Sequence, residues 1–262
     1  DPANPYYATY AASQAYQSYE RTKQLHALMD APARQPEAAA HARHVLERLF
    51  SPAFLDQFEG GRASYADTGS YTFTSADGKL TRTMTGSGKT VIRSLNAAAT
   101  KLYELYAIAA GMRHEVPADF SRYMPAEDAR YYAYVADYED FYQKGPATTE
   151  SSGVTWRFAL ALREDFFKEV DALARGDVRH AAKLRFTHAE MIIPLASAMG
   201  LQQALAPLPA SVSYSYENNP WRGQNVSPLA ANMQWDVYRN GAGQLIVRLL
   251  YNEKETDFQA AC

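Results

Sequence analysis

Leu184-Arg-Phe-Thr-His-Ala-Glu-Met-Ile-Ile-Pro194 is the stretch on which the fold of this chain is decided. Residues 183–187 read as a short strand running straight into His188, and residues 189–199 as a helix that ends at Gly200. In an α/β unit, ligands sit beyond the carboxyl ends of strands, where the following helix offers free N–H groups and partial positive charge to anions. Thr187, His188, Ala189 and Glu190 occupy such a junction. A histidine there can hydrogen-bond a phosphoryl oxygen, and a glutamate two residues on can protonate a departing alkoxide where its surroundings raise its pKa. The same spacing suits a hydrogen-bonded core histidine beside a carboxylate held by the helix dipole, so position alone leaves both readings open.

Downstream, a Pro- and Asn-rich loop over 206–228 leads to alternating Met233, Trp235 and Val237, a turn at Asn240-Gly241, and a second run over 245–251, which together read as a hairpin or neighbouring strands. Within the loop, Trp221-Arg222-Gly223 is either a surface turn or a pocket lining in which Arg222 makes bidentate phosphate contacts. Upstream the texture is helical. Residues 5–29 contain no internal Gly and no Pro after the first, which predicts one long helix, and a second follows over 36–50. Residues 59–90 turn to Gly, Ser, Thr and Asp around Tyr71, Phe73 and Leu80, a loop or small hairpin. Further helices are expected over 95–109, from Pro125 to the stop at Gly145-Pro146, and over 155–175. Residues 1–178 are therefore expected to be mostly helical and 179–262 to hold the strands.

Of the 262 residues, 47% are hydrophobic and 21% charged, as in an ordinary folded domain. A net charge of -3 argues against a broad nucleic-acid surface, so any anion site is local. Runs such as 191–195 and 245–247 fall far short of the roughly 20 apolar residues that span a bilayer. The first ten residues lack the basic start and apolar core of a secretory signal. A single cysteine, Cys262, precludes a disulfide within the chain.

Three signals are set aside. Gly86-Ser-Gly-Lys-Thr90 resembles part of a nucleotide-binding loop, but the pattern requires glycine where Thr83 stands; Lys89 remains a candidate for reaching an anionic substrate. His188 and Glu190 fit half of a zinc-deaminase motif whose Pro-Cys-x-x-Cys half a single terminal cysteine excludes. His41 and His44 share a helix face, but without a nearby third ligand they read as solvated surface, and no metal site is expected.

Residues 184–194 resemble the His-Ala-Glu segment of multiple inositol polyphosphate phosphatases, a branch of the histidine acid phosphatases. The segment from Tyr123 to Gly145, with Pro125, Glu127, Asp128 and Tyr142-Gln-Lys-Gly145, is similar to the family's helical cap, and Trp235-Asp-Val-Tyr-Arg239 and Leu249-Leu-Tyr-Asn-Glu-Lys254 to its last sheet strands. The resemblance implies an α/β fold: residues 179–262 as the C-terminal part of a histidine-phosphatase sheet domain and 1–178 as a large, mostly helical cap. It implies a phosphomonoester hydrolase acting on inositol polyphosphates of the phytate type through a phosphohistidine, with no cofactor. His188 would bind the phosphoryl group, Glu190 would donate the proton, and Lys89, Arg185 and Arg222 are candidates for holding the remaining phosphates. A periplasmic or secreted location is implied by family habit.

One departure stands out, because the family attacks with the His of an Arg-His-Gly-x-Arg motif. Arg43-His44, Arg113-His114 and Arg179-His180 are the Arg-His pairs here, and none is followed by Gly. Three strands are also too few for the fold. The expectation is that an N-terminal segment of the same protein, outside this chain, supplies the nucleophile, a second phosphate-binding Arg and the missing strands. The competing expectation is a catalytically inactive relative or fragment that binds anionic ligands or a partner.

Overall fold

The structure, a computed structural model, describes residues 6–75, 77–114, 118–177 and 179–258, so Cys262 lies outside the described residues. In chain order the elements begin with helices α1 (Thr9–Ala12), α2 (Gln14–Glu20), α3 (Lys23–Met29), α4 (Pro36–Leu46) and α5 (Pro52–Glu59). Short strands β1 (Tyr65–Ala66), β2 (Ser70–Thr74), β3 (Thr81–Thr85) and β4 (Val91–Ile92) follow, then helices α6 (Leu95–Ile108), α7 (Ala126–Gln143), α8 (Leu160–Ala174), α9 (Ala189–Ala198) and α10 (Gly223–Val226). Strands β5 (Met233–Arg239), β6 (Leu245–Tyr251) and β7 (Lys254–Glu255) close the chain.

The helix expected over 5–29 is three helices. Ser13 and Thr22 take extended backbone, and their hydroxyl oxygens accept from the N–H groups of Tyr16 (3.3 Å) and Leu25 (3.2 Å). Each hydroxyl caps the next helix and so ends the previous one, without any glycine or proline at the break. The loop or hairpin expected over 59–90 contains an antiparallel hairpin of β2 and β3, whose outward hydroxyls meet in three cross-strand pairs: Ser70–Thr85 at 3.2 Å, Thr72–Thr83 at 2.8 Å and Thr74–Thr81 at 3.1 Å.

The strand expected over 183–187 is not a strand. The segment has no ladder partner among the described residues, and Leu184 and Phe186 stand 75% and 77% exposed. Extended sequence becomes a strand only when a neighbour accepts and donates its backbone hydrogen bonds. The described sheet near the C-terminus is instead antiparallel β5-β6-β7, with Trp235 opposite Leu249 and Val237 opposite Val247.

The chain divides into two compact units. One unit is Ala31–Val135; the other joins Asp1–Asp30 to Ala136–Cys262. The helices before 178 are shared between them: α1, α8 and the 3-10 turn Arg157–Ala159 pack on α9 and belong with the strands β5, β6 and β7. In the Ala31–Val135 unit, Ala42, Val45 and Leu46 of α4, Leu55 and Phe58 of α5, Leu95 and Ala99 of α6, Met124 and Tyr132 form a continuous core. In the other unit an aromatic cluster of Phe141, Tyr142, Tyr214 and Trp221 is buried, with Phe141 stacked on Tyr214 at 4.5 Å between ring centroids.

Leu46→Ala is expected to cost about 2–5 kcal/mol in urea unfolding, because a fully enclosed leucine leaves a cavity, whereas Leu49→Ala, just past the end of α4 and 41% exposed, should change stability by no more than about 0.5 kcal/mol.

Candidate functional site

His188 is the N-cap of α9, in extended backbone (φ -138°, ψ -172°), and Glu190 lies in the helix's first turn. Beyond them α9 is enclosed: Met191, Ile193, Leu195, Ala196 and Ala198 are buried, and the buried Ser197 hydroxyl donates to the carbonyl of Ala204 at 3.0 Å. The helix is thus held by its body while its N-terminus carries two polar side chains at the surface, with His188 43% and Glu190 39% exposed.

Both imidazole nitrogens of His188 are engaged. Nδ1 lies 2.5 Å from Glu190 Oε2, and Nε2 lies 2.7 Å from the hydroxyl of Tyr7, whose ring meets the imidazole edge-on at 4.7 Å. The Thr187 hydroxyl donates to the carbonyl of Tyr7 at 3.2 Å, tying the chain before His188 to the N-terminal segment. On its other oxygen, Glu190 Oε1 lies 3.6 Å from the ammonium of Lys144, which pairs with Asp140 at 2.8 Å.

Partial burial alone would raise the Glu190 pKa, but its own backbone N–H, the positive charge of Lys144 and the hydrogen bond from His188 outweigh that and hold the carboxyl below the usual glutamate range. The sequence reading asked for the opposite shift in a proton donor. Lys144 shows the reciprocal effect: burial would lower it, and the carboxylates of Asp140 and Glu190 raise it instead.

The expected phosphate-holding cations are placed as follows. Arg185 donates to Asp165 and lies over the Phe166 ring at 4.6 Å, and Lys183 shares Asp165 and Glu169. Arg222 is turned inward: its guanidinium donates to the carbonyls of Asn219 (2.7 Å), Trp221 (2.7 Å) and Tyr216 (2.9 Å) and stacks on the Tyr216 ring. The adjoining Gly223 N–H donates to Asp137 at 2.9 Å, and a Cβ there would come within 2.5 Å of the same carboxylate oxygen, so the triplet Trp221-Arg222-Gly223 builds the loop. Lys89 belongs to the Ala31–Val135 unit, in a loop whose N–H groups at Ser87, Gly88 and Thr90 are taken up by Asp67, so they form no phosphate cradle. Tyr7 and Lys144 were missed as site residues; Lys144 lies inside the Tyr142–Gly145 stretch already singled out, whereas nothing around Tyr7 in the sequence marks it.

A family profile described as histidine phosphatase superfamily (branch 2) matches residues 10–252. The chain is a member of the histidine phosphatase superfamily. Its fold is similar to that of Bifidobacterium longum multiple inositol polyphosphate phosphatase in complex with inositol hexasulfate, with TM-score 0.79 and 32% identity over 97% of this chain and 54% of that one. The apo form of the same enzyme gives TM-score 0.79 and 31% identity over 100% of this chain and 55% of that one. Multiple inositol polyphosphate phosphatase 1 of Homo sapiens is 28% identical over 49% of this chain and 28% of its own length. The chain thus spans about half the length of these solved relatives and less of the human one. The α/β histidine-phosphatase fold read from the sequence holds.

If Lys144 helps hold this superfamily member's Glu190 ionised, Lys144→Met will raise the midpoint of the Glu190 carboxyl carbon in an NMR titration, since a positive charge favouring the carboxylate has gone. An unmoved midpoint would show that the 3.6 Å pair contributes nothing.

Proposed function

We propose that this chain forms the proton-donor side of a phosphatase site acting on inositol polyphosphates, completed by another part of the same protein. The observation that carries the reading is the coupled pair His188 and Glu190, 2.5 Å apart and open to solvent at the N-terminus of a buried helix, in a histidine-phosphatase chain. The similarity to enzymes named as inositol polyphosphate phosphatases, one of them in complex with inositol hexasulfate, supports the substrate class.

In the proposed reaction, an incoming His from outside this chain attacks phosphorus in line with the ester oxygen. The P–O bond to the inositol breaks, a phosphohistidine forms, and Glu190 gives its proton to the departing alkoxide. Water then cleaves the phosphohistidine, with the Glu190 carboxylate accepting a proton from it and so returning to its acid form. His188, its Nε2 exchanging the Tyr7 hydroxyl for substrate, donates a hydrogen bond to a non-bridging oxygen of the phosphoryl group. The stretch 183–187, which joins no ladder among the described residues, suits a strand from the rest of the protein, which the reading also asks to bring the nucleophile. Export to a periplasm or the exterior belongs to the same proposal.

Because Glu190 is held ionised in the free site, the acid needs a proton before it can work. A multiply charged phosphate ester beside it disfavours the carboxylate and pushes its pKa up. The sign follows: kcat/KM, which reports the free protein, should fall as pH rises through the lowered Glu190 pKa, and the corresponding fall in kcat should lie at higher pH. Coincident limbs would sink the role given to Glu190.

The decisive assay is phosphate release from phytate by the full-length gene product, by this 262-residue chain alone, and by the full-length Glu190→Gln variant. Release by the full product, a drop of about 10²–10⁴-fold in Glu190→Gln and silence from the chain alone are expected. Silence from the full product would leave an inactive, anion-binding or partner-binding relative.

A further inference from the structure

We infer that the Ala31–Val135 unit carries a binding site for a divalent transition metal, of the zinc class, formed by His44 with Glu127 and Asp128. The sequence offered only a histidine pair on α4 without a third ligand. Packing of α4 against the start of α7 supplies two: one ligand atom from each of His44, Glu127 and Asp128 lies within 4.8 Å of the others. His44 Nδ1 is 2.8 Å from Asp128 Oδ2 and 3.5 Å from Glu127 Oε1. Bonds of 2.0–2.2 Å around a tetrahedral zinc place neighbouring ligand atoms about 3.3 Å apart, between those two distances. One imidazole with two carboxylates suits zinc, cobalt or nickel better than calcium or magnesium, which favour oxygen alone.

The observation that sets this apart from a surface ion pair is the state of Asp128. Its side chain is 0% exposed, and Oδ2 is buried without a hydrogen bond although His44 Nδ1 lies 2.8 Å away. A buried carboxylate oxygen with no donor is costly, and a cation bound between it and His44 removes that cost. The other oxygen, Oδ1, is already fixed by His41 Nδ1 at 2.7 Å. His41 in turn stacks on Tyr131 (4.2 Å, 13°), whose hydroxyl donates to the carbonyl of Pro32 at 3.1 Å. That is the outer support metal ligands require: a histidine orienting the carboxylate and a ring holding the histidine. Glu127 (68% exposed) and His44 (45% exposed) leave an approach from solvent and room for water as the fourth ligand. Bound there, the metal clips α4 to the first turn of α7.

The test is titration of the tag-free protein with Co²⁺ followed by visible absorption, and with Zn²⁺ followed by equilibrium dialysis and thermal unfolding. One equivalent bound, a four-coordinate cobalt spectrum and a Tm that rises with zinc are expected. Zinc affinity should fall more than tenfold in His44→Ala and in Glu127→Gln, both of which alter exposed side chains and should fold, and by about 10–100-fold in His41→Ala. Folded protein that retains no zinc, or binding undiminished in both His44→Ala and Glu127→Gln, would overturn the site.

Discussion

Enclosure of α9 is the constraint on which the His188–Glu190 pair depends. Met191, Ile193 and Leu195 sit on it with almost no exposure, and each large apolar side chain is worth about 1.5–3 kcal/mol when withdrawn from water. Advancing the helix by one residue would turn its faces by about 100° and bring buried side chains out while driving Glu190 in. Pro194 inside the helix removes the N–H that the Glu190 carbonyl would have used, while the His188 carbonyl still accepts from Met191 at 2.9 Å and Ile192 at 3.2 Å. Tyr7 and Lys144 then meet a histidine and a glutamate whose positions are already set.

Helix interiors and hairpins are local, and they were legible. The 3.6-residue stripe over 95–109 is α6, the alternation at Met233, Trp235 and Val237 is β5, and His188 stands at a helix N-terminus as its spacing indicated. What was not legible depends on partners far along the chain. Tyr7 is 181 residues from His188, so no window of sequence joins them. Ser13 and Thr22 look like tolerable helix residues until their hydroxyls find an N–H to cap. Residues 183–187 have the composition of a strand but join no ladder among the described residues, and composition cannot provide one. Arg222 beside Trp221 has the look of a ligand contact, yet its donors are consumed by carbonyls three, one and six residues away. The third and fourth groups around His41 and His44 come from a helix more than eighty residues on, and so the pair looked solvated.

Charge around His188 argues that the two halves of the proposed site differ in kind. Lys144, beside Glu190, faces two carboxylates, Asp140 and Glu190, while Lys183 and Arg185 face Asp165 and Glu169. Leaving His188 aside, neither group carries a positive excess. Hydrogen-bond donors and a proton source can orient and protonate a phosphate ester, but they do not offset the cost of withdrawing several phosphates from water. A polyanion would therefore gain most of its binding from cations other than these three and would meet Glu190 only after being held by them. In the proposed reaction that order would suit catalysis: the charge that raises the Glu190 pKa would arrive with the substrate, so the acid would form where the leaving group needs it and stay ionised otherwise.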